Sequence, residues 1–389
     1  REDQKISKAF VKVVTFGEFL EDHTLLSRNH RRLLKRGFTL PGGMGNIAQD
    51  VFEELRLKLT IPENEVDDHG QKPYFNCGKY LGICPSFFYL IKKLSIKSAS
   101  DPTFDVRLAF RTFGTDLAEI AHEFNDFCEG NHPLFKIGVD PLSGQPLRLD
   151  GSLSGYVDRR LNLEEYSGSL VRNKDEISTQ LLIPLQIKGK TETLQRSIVG
   201  LKHVMDVVHD EWLNNTYTVA IQDHYAWWKS HDEHESAGKI LCLDKTQLTV
   251  HLHHGNNGGQ AEMIENKDKG ESRTDVTVAL LETMNTQEKV QYHNQNETIV
   301  LFFDDNIERD RAHIVDTRER ETMKEIDTSQ FFSDTFVSKG YLRKVIPFKA
   351  IQNEAYFMEE VLEYMREYYN IDVDVDVDVD VDVDVDVDV

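Results

Sequence analysis

The chain has no long apolar run. The longest, Thr298 to Phe303, is strand-sized, whereas a membrane-spanning helix needs about 20 such residues. Positive charge is also scarce: 45 Lys and Arg stand against 67 Asp and Glu, for a net charge of −22. Nine of those charges sit in the Asp-Val repeat from Asp372 to Val389, and −22 + 9 leaves −13 for the rest. General nucleic-acid binding is thereby excluded, because it needs a basic footprint to displace counterions from phosphates. The run Arg28 to Arg36 is the basic exception and reads as a solvated helix face. Cysteine is sparse as well. Cys77, Cys84, Cys128 and Cys242 are scattered, with no Cys-x-x-Cys pair, so a disulfide framework is not expected and an intracellular, reducing compartment is. No secretory signal is legible. The chain opens on Arg1 rather than Met, which leads us to expect a processed or truncated product whose targeting segment, organellar or otherwise, is out of view.

What is present is enough for a sizeable core: 389 residues, 39 % of them hydrophobic and 10 % aromatic. Residues 1 to about 75 mix charge with scattered apolar side chains and read as an N-terminal arm or cap. Within them Thr15 to Leu20 is a short helix candidate, Asn29 to Lys35 a basic helical run, and Pro41-Gly42-Gly43 a break. Residues 76 to 370 alternate helix and strand patterns. A helix is predicted from Pro85 through Leu94, with Phe87, Leu90, Ile91 and Leu94 on one face. Asp105 to Phe110 reads as a strand running into Arg111-Thr112-Phe113-Gly114-Thr115-Asp116. An amphipathic helix follows, its face formed by Leu117, Ile120, Ala121, Phe124 and Phe127. The stretch 133–190 reads as an insertion over the sheet, Thr193 to Leu213 as a helix, and Thr216 to Ile221 as a strand. A second insertion is expected at 255–296, a last strand at Tyr341 to Ile346 and a last helix at Glu354 to Tyr369. The tail from 371 to 389 is expected to be disordered.

The chemistry concentrates after Thr298 to Phe303. That run reads as a strand buried on both faces and ends in Asp304 and Asp305, followed by a charged helix. Adjacent carboxylates at the carboxyl end of a strand repel unless a cation or proton sits between them, which makes the pair a candidate Mg²⁺ site. A helix cap accounts for one acid, not for two. Thr112, Asp223, Asp304 and Asp305 are therefore expected at one end of a parallel sheet. His231-Asp-Glu-His234 has the i, i+3 spacing of a Zn²⁺ pair, but a polar loop that collects histidines is the better reading.

Phe110-Arg-Thr-Phe-Gly-Thr-Asp116, Phe127-Cys-Glu-Gly130, Ile221-Gln-Asp-His-Tyr225 and Phe302-Phe-Asp-Asp-Asn-Ile307 resemble segments of haloacid-dehalogenase-like (HAD-like) proteins, in particular a protist group, across residues 13 to 350. The resemblance implies an α/β fold of three layers, a Rossmann-like parallel sheet with insertions. It implies that Thr112 holds a transferred phosphoryl group, that Asp304 and Asp305 hold Mg²⁺, and that Lys239, in Ser236-Ala-Gly-Lys239, stabilises the phosphoryl charge. The family's aspartyl nucleophile lies in an Asp-x-Asp motif on a first strand, and residues 1 to 80 contain none. Asp372-Val-Asp-Val375 matches the pattern only as part of the repeat. The reading is thus a catalytically impaired HAD-like protein, an accessory or scaffold subunit with protein partners. The alternative is a Mg²⁺-dependent phosphatase acting on a phosphorylated small molecule, with the nucleophile supplied upstream or the missing strand replaced by Phe10 to Val14 or by a partner.

Overall fold

A computed structural model describes residues 27–61, 80–173, 178–186, 193–247, 298–307, 313–326 and 340–369, apart from single positions within them. Thr15 to Leu20, Phe10 to Val14, the 255–296 insertion and the Asp-Val tail lie outside the described residues. The chain divides into two compact units, 1–60 and 61–389. In the first, helix α1 (Arg28–Arg36) is capped by the Ser27 side chain, which accepts from the His30 N–H, and α2 (Gln49–Lys58) follows a turn around Pro41-Gly42-Gly43. Large apolar side chains stay exposed there, including Leu33, Ile47 and Leu57.

The second unit is mixed α/β. Its main sheet runs β1-β5-β2-β3-β4, from Leu108–Thr112, Ser167–Val171, Gln180–Gln186, Thr193–Val199 and Thr218–Gln222, numbered in chain order. β1, β5 and β2 are parallel, and β2-β3 and β3-β4 antiparallel. The sheet is therefore not all-parallel, and two expectations fail together. Part of the supposed insertion supplies β2 and β3. The helix expected from Thr193 begins only at Leu201, because Thr193–Val199 pairs with β3 over seven positions and Gly200, at φ 97°, turns the chain out of the strand. Cross-strand packing of Ile198 on Leu181, both buried, outweighs the local pattern.

Helix α3 (Pro85–Ser100) starts with Pro85 in its first turn, where the missing N–H costs nothing. Helix α4 (Leu117–Cys128) buries Ala121, Phe124 and Phe127. Phe110 of β1 meets Phe87 and Phe124 edge-on, with ring centroids 5.7 and 5.2 Å away, and Ala220 of β5 joins the same core. Val219 and Ile221, alternating with Ala220 along β5, pack instead with α5 (Leu201–Asp206) and the π-helical turn Val207–Trp212 that continues it.

His209 sits in that π-turn. Burial and the nearby Arg320 hold its imidazole down at about 4, against an ordinary 6.5. Between these values the unfolded chain takes up a proton that the folded chain refuses. Stability present above pH 6.5 is thus lost as pH falls towards 4, by up to roughly 3 kcal/mol. Urea denaturation at pH 7 and at pH 4.5 should show this loss, and His209→Gln should flatten it. An unchanged slope in the variant would exclude the assignment.

Two further parallel pairs complete the described unit: β6 (Lys239–Leu243) with β8 (Val315–Glu319), and β7 (Phe302–Asp304) with β9 (Leu342–Lys344). β7 is three residues long and only half-buried beyond Phe302, not the six-residue buried strand expected. Upstream, the Gln247 side chain stands in for a neighbouring strand: its Nε2 donates to Val300 O at 2.7 Å and its Oε1 accepts from Val300 N at 3.0 Å. A strand, β8, occupies Val315–Glu319 where the charged helix was expected. Helices α7 (Pro347–Gln352) and α8 (Tyr356–Tyr369) close the unit, with Phe357 against Phe87 and Phe303.

Candidate functional site

Three strands end close together. β1 ends at Thr112, β5 is followed directly by Asp223, and β7 ends at Asp304. The Asp223 N–H donates to Thr112 O at 2.7 Å, which locks the ends of β1 and β5 together. β1 and β7 do not pair with each other; β1 pairs with β5 and β7 with β9. Lys239, the first residue of β6, spans the two. Its Nζ lies 2.7 Å from Asp304 Oδ2 and 3.5 Å from Arg111 O. Thr112, Asp223, Asp304 and Asp305, expected at the end of one sheet, are thus brought near one another with Lys239, but from the ends of two separate sheets, β7 pairing with β9.

Lys239 is 5 % exposed. A buried ammonium requires compensation, and it has three sources: the Asp304 carboxylate, the Arg111 carbonyl, and the faces of Phe113 and Phe302, whose centroids lie 5.2 and 5.6 Å from Nζ. Phe113 is in turn stacked on Trp228 at 5.0 Å. Asp305 sits in the turn after β7. Burial, with the Asp304 charge adding to it, raises its carboxyl above the ordinary range. Burial also pushes the Cys84 thiol at the start of α3 up to about 11, with Glu123 and Asp305 contributing, so this cysteine is an inert thiol at neutral pH.

The Thr112 hydroxyl is engaged by its own loop. It accepts from Gly114 N and donates to Asp116 Oδ1, both at 2.8 Å. A side chain at Gly114 would meet that arrangement: a Cβ there would lie 2.8 Å from Asp116 Oδ1 and 3.2 Å from Thr112 Oγ1. Gln222 Nε2 fastens the loop by donating to Gly114 O at 2.9 Å. For Thr112 to hold a phosphoryl oxygen, its bond to Asp116 must be exchanged.

Behind these residues lies a buried charge network that periodicity did not reveal. The Arg111 guanidinium forks onto both oxygens of Asp223, with Nε to Oδ2 at 2.9 Å, and its Nη1 donates to Ile240 O at 2.5 Å. Arg172, just after β2, gives Nη2 to Asp316 at 2.8 Å and Nη1 to Gly238 O at 2.9 Å, and its backbone N–H donates to His224 Nδ1. Arg318 Nε holds the other side of Asp316 at 2.9 and 3.0 Å. Burial pushes the Asp316 carboxyl up to about 6 while the two guanidiniums pull it back, leaving it ionised at neutral pH. The only signal in sequence was an arginine beside each strand end, which is as often a surface residue.

Asp304 and Asp305 offer the hard carboxylate oxygens that Mg²⁺ takes, typically completed by water. One of those oxygens is already held by Lys239. Among the described residues no group of three or more His, Cys, Asp or Glu side chains converges as a metal cage. His231 and His234 do not share a helical face, because α6 (Tyr225–Ser230) ends before them and Asp232 and Glu233 take positive φ. His231 packs on the Trp227 ring at 3.9 Å, and His234 Nδ1 accepts from Ser236 N. An open cleft of about 710 Å³, lined by Asn125, Glu129, Arg160, Tyr166 and Tyr217 among others, lies at the amino ends of β2 and β5, opposite the strand ends described above. Its arginine is paired with Glu129 and Asp158. No helix among the described residues is long and apolar enough to cross a membrane. Comparison with models of protein families, with curated proteins and with solved structures finds no match to this chain.

Proposed function

We propose that this chain is an HAD-like protein whose strand-end site recognises a phosphoryl group without turning it over, and that it serves as an accessory or scaffold subunit of a larger protein assembly. The observation that carries the reading is the position of Lys239, whose single ammonium reaches Arg111 O beside Thr112 and the Asp304 carboxylate. A hydroxyl and an acidic pair at strand carboxyl ends, with an ammonium brought to them from the first residue of β6, are the groups that phosphoryl recognition requires. The parallel order β1-β5-β2, with β7-β9 beside the same lysine, is compatible with a three-layer Rossmann-like arrangement. Turnover through an aspartyl-phosphate needs a nucleophilic carboxylate facing the phosphorus. Asp304 is committed to Lys239, and Asp305 favours its protonated form more than an ordinary carboxyl does.

The second reading is a Mg²⁺-dependent phosphatase, favoured by the adjacency of the Asp304 and Asp305 carboxylates, whose mutual repulsion a cation between them would relieve. Mg²⁺ held there would neutralise charge on a bound phosphoryl group. An assay of a generic phosphomonoester with Mg²⁺ separates the two. We expect no phosphate release above background, together with binding of inorganic phosphate that Lys239→Met weakens about tenfold. Turnover that disappears in Asp304→Asn would replace the first reading by the second.

A further inference from the structure

We propose that Arg111 and Arg172 are positioning residues that fix the Lys239 ammonium by holding the peptide carbonyls on either side of it. The alternation of a parallel ladder supplies the reason. Lys239 N donates to Ile314 O, so residues 239, 241 and 243 of β6 direct their backbone groups at β8. The carbonyls of Gly238 and Ile240 face the other way. There a guanidinium takes the place of a strand at each: Arg172 Nη1 at Gly238 O, 2.9 Å, and Arg111 Nη1 at Ile240 O, 2.5 Å.

Each guanidinium is itself anchored. Asp223, at the end of β5, holds Arg111 in a two-bond fork, and Asp316 of β8 holds Arg172. The four charged side chains are buried or nearly so, with side-chain exposures of 10 % for Arg111, 2 % for Asp223, 8 % for Arg172 and 0 % for Asp316. In such a setting a planar fork has one geometry, and a lysine could not reproduce it. Arg111 also offers its own carbonyl to Lys239 Nζ, so one residue sets both the backbone of β6 and the tip of the side chain that starts it. The inference concerns where Lys239 sits and holds whether or not the site binds phosphate.

Reductive methylation of the folded, full chain, read residue by residue by mass spectrometry, tests it. Lys239 should react far more slowly than Lys202, whose side chain is 50 % exposed. Arg111→Met and Arg172→Met should each speed Lys239 about tenfold or more relative to Lys202, as the local opening that exposes it becomes more frequent. Arg159→Met is the control, since Arg159 is equally buried and donates to a backbone carbonyl, Val106 O, but touches neither β6 nor the anchors of Arg111 and Arg172. It should leave the Lys239 rate within about twofold of the original. Equal acceleration by all three variants, or none by the first two, would overturn the inference. If either methionine variant fails to fold, Asp223→Asn, which keeps Arg111 but loosens its anchor, should still speed Lys239, and an unchanged rate there would overturn it equally. Loss of phosphate binding with these rates as expected would remove the functional reading alone.

Discussion

Asp316→Ala should lower the stability of the folded chain by about 3 to 5 kcal/mol, the usual cost of removing one partner from a buried ion pair. Asp316 has no exposed side-chain surface and lies between Arg172 and Arg318. Its removal leaves two guanidiniums facing each other away from water. The carboxylate is also the anchor that lets Arg172 hold Gly238 O, so the loss extends from β8 into β6. Replacing the whole triad by apolar residues of similar size should cost much less, since most of the penalty in the single variant is the desolvated charge left behind. Urea denaturation followed by far-ultraviolet circular dichroism measures both. A loss below about 1 kcal/mol for Asp316→Ala, the range of surface pairs, would mean that the cluster is hydrated and the account of it wrong.

Gly238→Ala should be strongly damaging, at roughly 1 to 3 kcal/mol or more, the range for overpacking a rigid site. A Cβ at position 238 would lie 2.5 Å from both the carbonyl carbon and the oxygen of Ile314, and 2.8 Å from Val315 N. These are backbone atoms of the partner strand, so no rotamer change relieves the clash, and β6 must move away from β8. The φ at Gly238 is −71°, which alanine adopts freely, so the whole effect is steric. Gly144→Ala provides the contrast. A Cβ there meets nothing within 4 Å, and only its φ of 68° opposes the change, at about 1 kcal/mol. If the two variants lose the same stability, close approach of β6 to β8 is not what fixes glycine at 238. Displacement of β6 should also carry Lys239 away from Asp304, so Gly238→Ala should increase the reactivity of Lys239 along with its loss of stability.

Much of this architecture is written locally. Pro85 ahead of a 3.6-residue apolar repeat determined α3, and the face of Leu117, Ile120, Ala121 and Phe124 determined α4, because helix boundaries and helix faces depend on neighbours within a few positions. The strand-loop-helix passage through Thr112 and the acidic pair after Phe303 were legible for the same reason: an apolar run that stops at polar residues marks a strand's end. Lys239 was singled out from a resemblance, and no period in the sequence marks it. What the sequence could not decide is which strand lies beside which. Thr193–Val199 carries a pattern that a helix tolerates, and only its seven-position pairing with β3 made it a strand. Val315–Glu319, with three charged residues in five, lies in the stretch after Asp305 where a charged helix was expected, yet it is a buried strand in which Asp316 pairs with both Arg318 and Arg172, a residue distant in sequence. Burial of a charge depends on the arrival of a partner from another element. The tertiary structure alone therefore decided that Arg111, Arg172 and Asp316 stand behind Lys239 rather than at the surface, and that Asp223, already expected at a strand end, pairs with Arg111.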